Sequence, residues 1–263
     1  MDSVGKISMN QSNKKEPLVS IIMPCFNSIN TIDESINSVL NQDYNNYELI
    51  IADDNSSDGT YEHILELYSD CSNIKILKNK FQKGVSGARN SALAMANGRF
   101  VCFLDSDDIW LPFKLTKQID FMLTNNHVLC FSNYIVFKDI NGSRKYKSLF
   151  FKEKVSYCEM LKTCSFGCLT VCYDVSYFGK CFFENVVKED YVCWLSLLKR
   201  TPYAYNQGDE LALYRQQKKS LSSNKLKEIK KQYYVNTKIE GNNVFFAIFD
   251  IIIYIYNGLV KRV

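Results

Sequence analysis

The sequence predicts an α/β protein with a mainly parallel central sheet and flanking helices, followed by a helical C-terminal tail. Short continuous apolar runs alternate with segments of helical period over about ninety residues. The runs end abruptly in turn-forming or acidic residues. Residues 18–23 are apolar apart from Ser20 and stop at Pro24, as expected of a strand buried on both faces. Ile32, Ile36, Val39 and Leu40 then fall on one helical face, with Thr31 near the helix start. Residues 47–52 read as a second buried strand that runs into Asp53-Asp54-Asn55-Ser56-Ser57-Asp58-Gly59. A helix over 61–68, a short strand over 74–77, a helix over 85–96 closed by Asn97-Gly98 and a strand over 100–104 complete the alternation. The second half is less regular. Residues 128–137 read as a strand, 138–147 as a polar hairpin, 169–173 as strand-like and 191–198 as a helix.

The composition sets outer bounds. In 263 residues, 46% are hydrophobic and 23% charged, so collagen-like and disordered classes are excluded. A net charge of +4 is too small for a polycation built to bind nucleic acid. The charge is uneven, however. Between Tyr214 and Lys238, Arg215, Lys218, Lys219, Lys225, Lys227, Lys230, Lys231 and Lys238 face a single acid, Glu228. Residues 1–16 are polar and lack the apolar run of a signal peptide, so the ten cysteines are expected to stay reduced. Cys164, Cys168 and Cys172 recur every four residues, but no zinc pattern has that spacing, and neither His63 nor His127 is close in sequence.

Ligands of an open parallel sheet bind beyond the carboxyl ends of its strands. Three acidic clusters fall at or near such ends: Asp53-Asp54, Asp105-Ser106-Asp107-Asp108 and Glu189-Asp190. Capping and turn formation account for Asp58 and Gly59. They do not account for the crowding of carboxylates between Asp105 and Asp108. A divalent cation relieves such crowding, and Mg²⁺ or Mn²⁺ takes carboxylate oxygens with phosphate oxygens completing the shell.

Taken in order, these segments resemble the inverting GT-A glycosyltransferases of family 2. Residues 19–27 (VSIIMPCFN) resemble the opening strand and loop, and 53–59 (DDNSSDG) the nucleotide loop. Residues 87–90 (GARN) are similar to the central helix signature, and 104–112 (LDSDDIWLP) to the metal motif. Residues 189–195 (EDYVCWL) resemble the acceptor-side motif, while Tyr214-Arg215 with Ser220-Leu221-Ser222 resembles the closing strand and lid. The resemblance covers residues 17–222 as a Rossmann-like GT-A domain. Residues 1–16 are then a disordered leader and 223–263 a basic and apolar helical tail.

The resemblance implies roles. Pro24, Phe26, Asp53, Asp54, Arg89 and Asp105 belong to the donor side, with Phe26 stacking on the base and Asp54 accepting from a uracil N3–H. Asp107 is implied as the ligand of Mn²⁺ or Mg²⁺, and Asp190 as the general base. Glu189 is the rival base, because an adjacent acid could either hold the base or be it. The chemistry makes the same demands. A diphosphate leaving group gains charge that a cation neutralises, and an acceptor hydroxyl needs a carboxylate to take its proton.

The sequence departs from the pattern in two places. Some relatives carry a histidine soon after Tyr-Arg that helps bind the metal; here Gln216, Gln217, Lys218 and Lys219 follow, and the lysines could neutralise the diphosphate directly. Processive relatives carry Gln-x-x-Arg-Trp and several membrane spans; neither Trp110 nor Trp194 follows an arginine, which favours one sugar per encounter.

Residues 244–260 are strongly apolar but short for a spanning helix, with Asp250 in the middle. A central Asp costs roughly 2.5–3.5 kcal/mol on insertion scales. On a helix, Asp250, Tyr254, Asn257 and Lys261 form a narrow polar stripe opposite a wide Phe/Ile face, which suits a helix lying in a membrane interface. The alternative is packing on the core, or on a second copy in a homodimer. The resulting expectation is transfer of one hexose, from UDP-glucose or UDP-galactose, to a lipid diphosphate-linked saccharide in bacterial surface polysaccharide assembly. The enzyme would be cytoplasmic and peripheral on the inner face of the plasma membrane. The rivals are a catalytically inactive sugar-nucleotide binding module and a sugar-1-phosphate nucleotidyltransferase. The latter should carry a glycine-rich loop where residues 24–30 (PCFNSIN) stand.

Overall fold

The computed structural model describes residues 16–140, 142–216 and 225–260. Nearly all of the expected leader, the lid residues Lys218, Lys219 and Ser220 to Ser222, and Lys261 and Arg262 lie outside them. In chain order the described elements are β1 (Val19–Cys25), α1 (Ile32–Leu40), β2 (Tyr47–Asp53), α2 (Thr60–Tyr68), β3 (Ile74–Lys78), α3 (Val85–Met95), β4 (Phe100–Phe103), β5 (Ile109–Trp110), α4 (Lys114–Asn125), β6 (Leu129–Ile140), β7 (Ser143–Leu149), β8 (Lys154–Val155), α5 (Tyr157–Lys162), β9 (Cys172–Asp174), α6 (Val175–Phe178), α7 (Glu189–Leu198), β10 (Ala204–Arg215), α8 (Lys225–Tyr234) and α9 (Val244–Val260).

The sheet runs β3-β2-β1-β4-β9-β6-β10-β5, with β7 added beside β6 and β8 beside β10. The first four strands are parallel. β9 enters antiparallel between β4 and β6, and β6 pairs parallel with β10, so the second half is mixed. All seven residues of β1 and of β2 are buried, because both sheet faces are covered. Ile22, Ile50, Ala52 and Phe103 pack with Ala88, Ala92 and Trp194 on one face. Ile21, Met23, Leu49 and Ile51 pack with Ile32, Ile36, Val39 and Ile64 on the other.

Two local departures have physical causes. The strand expected over 169–173 is shortened, because Cys168–Thr170 is a 3₁₀ turn in which Thr170 donates from both its N–H and Oγ1 to the Gly167 carbonyl. Helix α4 has no counterpart in the sequence reading, although Leu115, Ile119 and Met122 supply a helical stripe that is fully buried. Two of its polar residues, Lys114 and Gln118, go inside as well. Lys114 is wholly buried, donating to Gln118 Oε1 with its ammonium 4.1 Å from the Trp110 ring centroid.

Gly87 shows why the central helix needs a glycine. A Cβ there would sit 1.8 Å from the Gln82 carbonyl oxygen, so only glycine lets the loop before α3 close down on the helix. The tail is joined to the domain by buried polar groups. Gln232 and Asn236 are fully buried, and Glu240 pairs with Lys199 at 2.6 Å and accepts from the Tyr157 hydroxyl. The two expected faces of α9 are present, but with the polar one turned inward. Asp250 is buried and Tyr254 partly so, while Phe245 (83% exposed), Phe246, Phe249, Ile252 and Tyr256 face out. The helix packs on α5 and α8 with Ala247 and Ile251 buried beside Asp250, which leaves the wide Phe/Ile face uncovered.

Candidate active site

The carboxyl ends of β1, β2 and β4 surround an open cavity of about 760 Å³. Pro24, Phe26, Asp54, Asp105 and Asp107 all line it, joined by Ser28, Thr31, Lys83 and Gly84. Five of the eight expected site residues are therefore brought together. Phe26 is half-exposed, with the Lys83 ammonium 5.6 Å from its ring centroid. Asp54 is held from two sides: its carboxylate accepts from Asn79 Nδ2 at 2.7 Å and from the Gly84 N–H at 2.8 Å.

Asp53 has a different environment. It is fully buried behind the cavity, and its carboxylate accepts from the Ser56 N–H at 3.0 Å and the Ser56 hydroxyl at 2.5 Å, shaping the turn that presents Asp54.

The loop from Asp105 to Asp108 is fastened to α1. Ser28 and Ser106 share a hydroxyl hydrogen bond of 2.6 Å, Thr31 Oγ1 donates to the Ser106 carbonyl at 2.9 Å, and Ser35 Oγ donates to that of Asp108 at 2.7 Å. Arg215 grips the other side, donating from Nε to the Asp107 carbonyl at 2.8 Å and from its N–H to Asp108 Oδ1 at 2.9 Å. Burial, reinforced by Asp107 and Asp105, holds the Asp108 carboxyl well above the usual carboxylate range. Asp108 is thus the inward-facing strut of the loop, and Asp105 and Asp107 are its cavity-facing carboxylates. Their hard oxygen donors suit Mg²⁺ or Mn²⁺. Among the described residues no group of three or more His, Cys, Asp and Glu side chains forms a metal cage, so diphosphate oxygens and water would have to complete a coordination shell.

Arg89 connects this loop to the acceptor-side pair. It is 3% exposed; Nη2 bonds Asp105 Oδ1 at 2.8 Å and Nη1 bonds Glu189 Oε1 at 2.9 Å, with Phe183 flanking the guanidinium. It lies behind the cavity wall, one carboxylate removed from any donor. Burial pushes the Glu189 carboxyl up and Arg89 pulls it back. Asp190 sits at the start of α7, half-buried, with Oδ1 accepting from the Tyr191 N–H at 2.7 Å. Sequence reasoning did not pick out Lys83, Ser28 or Asn79. Their signal is proximity to the motifs, because each lies within a few residues of a strand end.

The central sheet with its flanking helices is a GT-A fold. The chain belongs to glycosyl transferase family 2, whose model matches residues 20–180. It is 45% identical over 93% of its length, and 95% of the relative's, to the Escherichia coli UDP-Glc:alpha-D-GlcNAc-diphosphoundecaprenol beta-1,3-glucosyltransferase WfgD. It is 36% identical over 94% of its length, and 98% of the relative's, to the Bacillus subtilis putative teichuronic acid biosynthesis glycosyltransferase TuaG. In three dimensions it is similar to the mannosyltransferase PcManGT from Pyrobaculum calidifontis, solved with GDP-Man and Mn²⁺. The TM-score is 0.67 at 15% identity, covering 90% of this chain and 70% of the other.

Proposed function

We propose that the enzyme transfers a single glucose, with inversion, from UDP-glucose to a hydroxyl of a lipid diphosphate-linked saccharide whose terminal sugar is N-acetylglucosamine. The observation that carries this is the 45% identity to WfgD along nearly the whole of both chains, together with that relative's printed donor and acceptor. It favours glucose over galactose, the two donors expected from the sequence.

In this reading Phe26 stacks on the uracil and Asp54 accepts from its N3–H, while Lys83 lies over the open side of the cavity. Asp107 would hold Mn²⁺ or Mg²⁺, which would neutralise charge growing on the departing diphosphate. Arg89 occupies the carboxylate of Glu189, so Asp190 is the acid free to act as base. The acceptor hydroxyl gives its proton to Asp190 as its oxygen bonds the anomeric carbon from the face opposite UDP. The bond from that carbon to the diphosphate oxygen breaks, UDP leaves with the electron pair, and one displacement inverts the centre.

The acceptor lies in a bilayer, and α9 supplies a means of reaching it. No helix among the described residues is long and apolar enough to cross a membrane. The outward Phe/Ile face of α9, in a tail carrying Lys227, Lys230 and Lys238, suits peripheral contact with an anionic leaflet.

The test is an assay with radiolabelled UDP-glucose, UDP-galactose and their N-acetylated forms on a synthetic N-acetylglucosaminyl diphosphate lipid, with and without Mn²⁺. Glucose transfer to a β-linked product is the expected result. Transfer from another donor, or an α-linked product, would refute it.

A further inference from the structure

The pair Glu189-Asp190 is bracketed by one side chain from the tail. Gln232 of α8 is fully buried; its Oε1 accepts from Lys188 Nζ at 2.6 Å, and its Nε2 donates to the Tyr191 hydroxyl at 2.6 Å. Lys188 and Tyr191 are the residues immediately before and after the acid pair. The Tyr191 hydroxyl donates onward to the Met160 carbonyl of α5 at 3.0 Å, so the bracket is anchored to a third element.

Lys188 is unusual in its own right. It caps α7 with φ 56° and ψ 49°, a left-handed backbone that a non-glycine residue adopts only where its surroundings hold it. Its side chain is 12% exposed, too buried for a solvent-facing lysine. The ammonium lies 3.8 Å from Glu228 of α8 and over the rings of Tyr191 (5.3 Å) and Tyr254 of α9 (5.0 Å). Burial accordingly pulls its pKa down. Both tail helices therefore converge on the one residue whose backbone sets the direction in which α7 begins.

We infer that Lys188 and Gln232 are positioning residues, through which the C-terminal helices fix the acceptor-side carboxylates of the transferase. The inference rests on the reading of Asp190 as base. A carboxylate base works only within hydrogen-bond reach of its hydroxyl, and a displacement of about 1 Å can cost on the order of a hundredfold in rate. Donor binding involves the ends of β1, β2 and β4, which the bracket does not touch.

The experiment measures kcat, acceptor KM and the UDP dissociation constant in the full chain for Lys188→Met, Lys188→Arg, Lys188→Gly and Tyr191→Phe, with thermal melts to confirm folding. Tyr191→Phe removes only a hydroxyl and so serves if Lys188→Met does not fold. Lys188→Met and Lys188→Gly should lower kcat about tenfold to a hundredfold, with UDP affinity within about twofold of wild type. Lys188→Gly keeps the left-handed backbone but loses the anchor, so its loss assigns the effect to the side chain. Lys188→Arg should recover most of the rate, and Tyr191→Phe should show a smaller loss in kcat alone. Wild-type kcat in Lys188→Gly and Tyr191→Phe would overturn the inference, as would parallel losses of kcat and UDP affinity. Asp190→Asn, assayed alongside, separates the two readings. If it is inactive while the Lys188 variants are normal, only the bracket fails; if it is fully active, the base assignment fails.

Discussion

Asp107 and Asp190 stand on opposite sides of the Arg89 bridge, and their substitutions should fail in different ways. Asp107→Ala removes a cavity carboxylate beside Asp105. Its turnover should be abolished and its UDP binding in Mn²⁺ weakened, while UDP binding without metal stays as in wild type; calorimetry with and without Mn²⁺ measures this. Retention of near-normal turnover would exclude Asp107 as the metal ligand. Asp190→Asn should lose about 10²–10⁴ in turnover, the usual worth of a general base, with UDP-glucose affinity unchanged. A loss of donor affinity instead would move Asp190 to the nucleotide side. At this scale the sequence was informative wherever a carboxylate follows a strand, because strand ends are where an α/β sheet exposes its ligand groups. It was uninformative about partners. Nothing in the adjacent pair Asp53-Asp54 says that one carboxylate folds back on Ser56 while the other faces the cavity. That Arg89 serves Glu189, a hundred positions away, is likewise a property of the fold alone.

Among the elements, α5 carries the clearest pH dependence. Ser156 and Glu159 form a capping box: Ser156 Oγ accepts from the Glu159 N–H, and the Glu159 carboxylate accepts from the Ser156 N–H at 3.0 Å. Lys152, at 2.7 Å, is the main cause of a Glu159 pKa lowered to about 2, helped by the Ser156 backbone. An acid depressed on folding contributes stability that is present above its unfolded pKa and is lost as pH falls through the folded value. Amide exchange in α5 should therefore accelerate as pH drops from about 4.5 towards 2, after correction for intrinsic rates, and Glu159→Gln should remove that dependence. An unchanged profile in the variant would assign the effect elsewhere. Strands β1, β2 and β4 were legible because burial on both faces demands unbroken apolar runs. Helix α4 was not, because Lys114 and Gln118 interrupt its buried stripe and satisfy one another inside the core. Nor does the apolar content of residues 169–173 reveal that Thr170 turns back on Gly167.

For the whole molecule, the proposed membrane contact rests on the tail. Phe245 and Phe249 are exposed on α9, and neither belongs to the cavity or the bracket. The double variant Phe245→Asp, Phe249→Asp should be released from anionic phospholipid vesicles that retain the wild-type protein, as sedimentation would measure. Turnover on a short-chain, water-soluble acceptor should stay within about twofold of wild type, because the proposed contact face is separate from the cavity. Retention of the variant on vesicles would exclude α9 as the contact. The faces of this helix were legible from the sequence, but their direction was not, since that depends on the surfaces that α5 and α8 offer it. The Arg89 bridge also limits how this site could be rebuilt. One cation neutralises both Asp105 of the cavity loop and Glu189 at the start of α7, so the two sides of the bridge cannot be replaced independently. A chimaera that inherits the arginine with only one of its acids buries an unbalanced charge. A rebuilt donor or acceptor pocket in this chain should therefore tolerate changes in the surrounding loops only while Arg89, Asp105 and Glu189 are kept together.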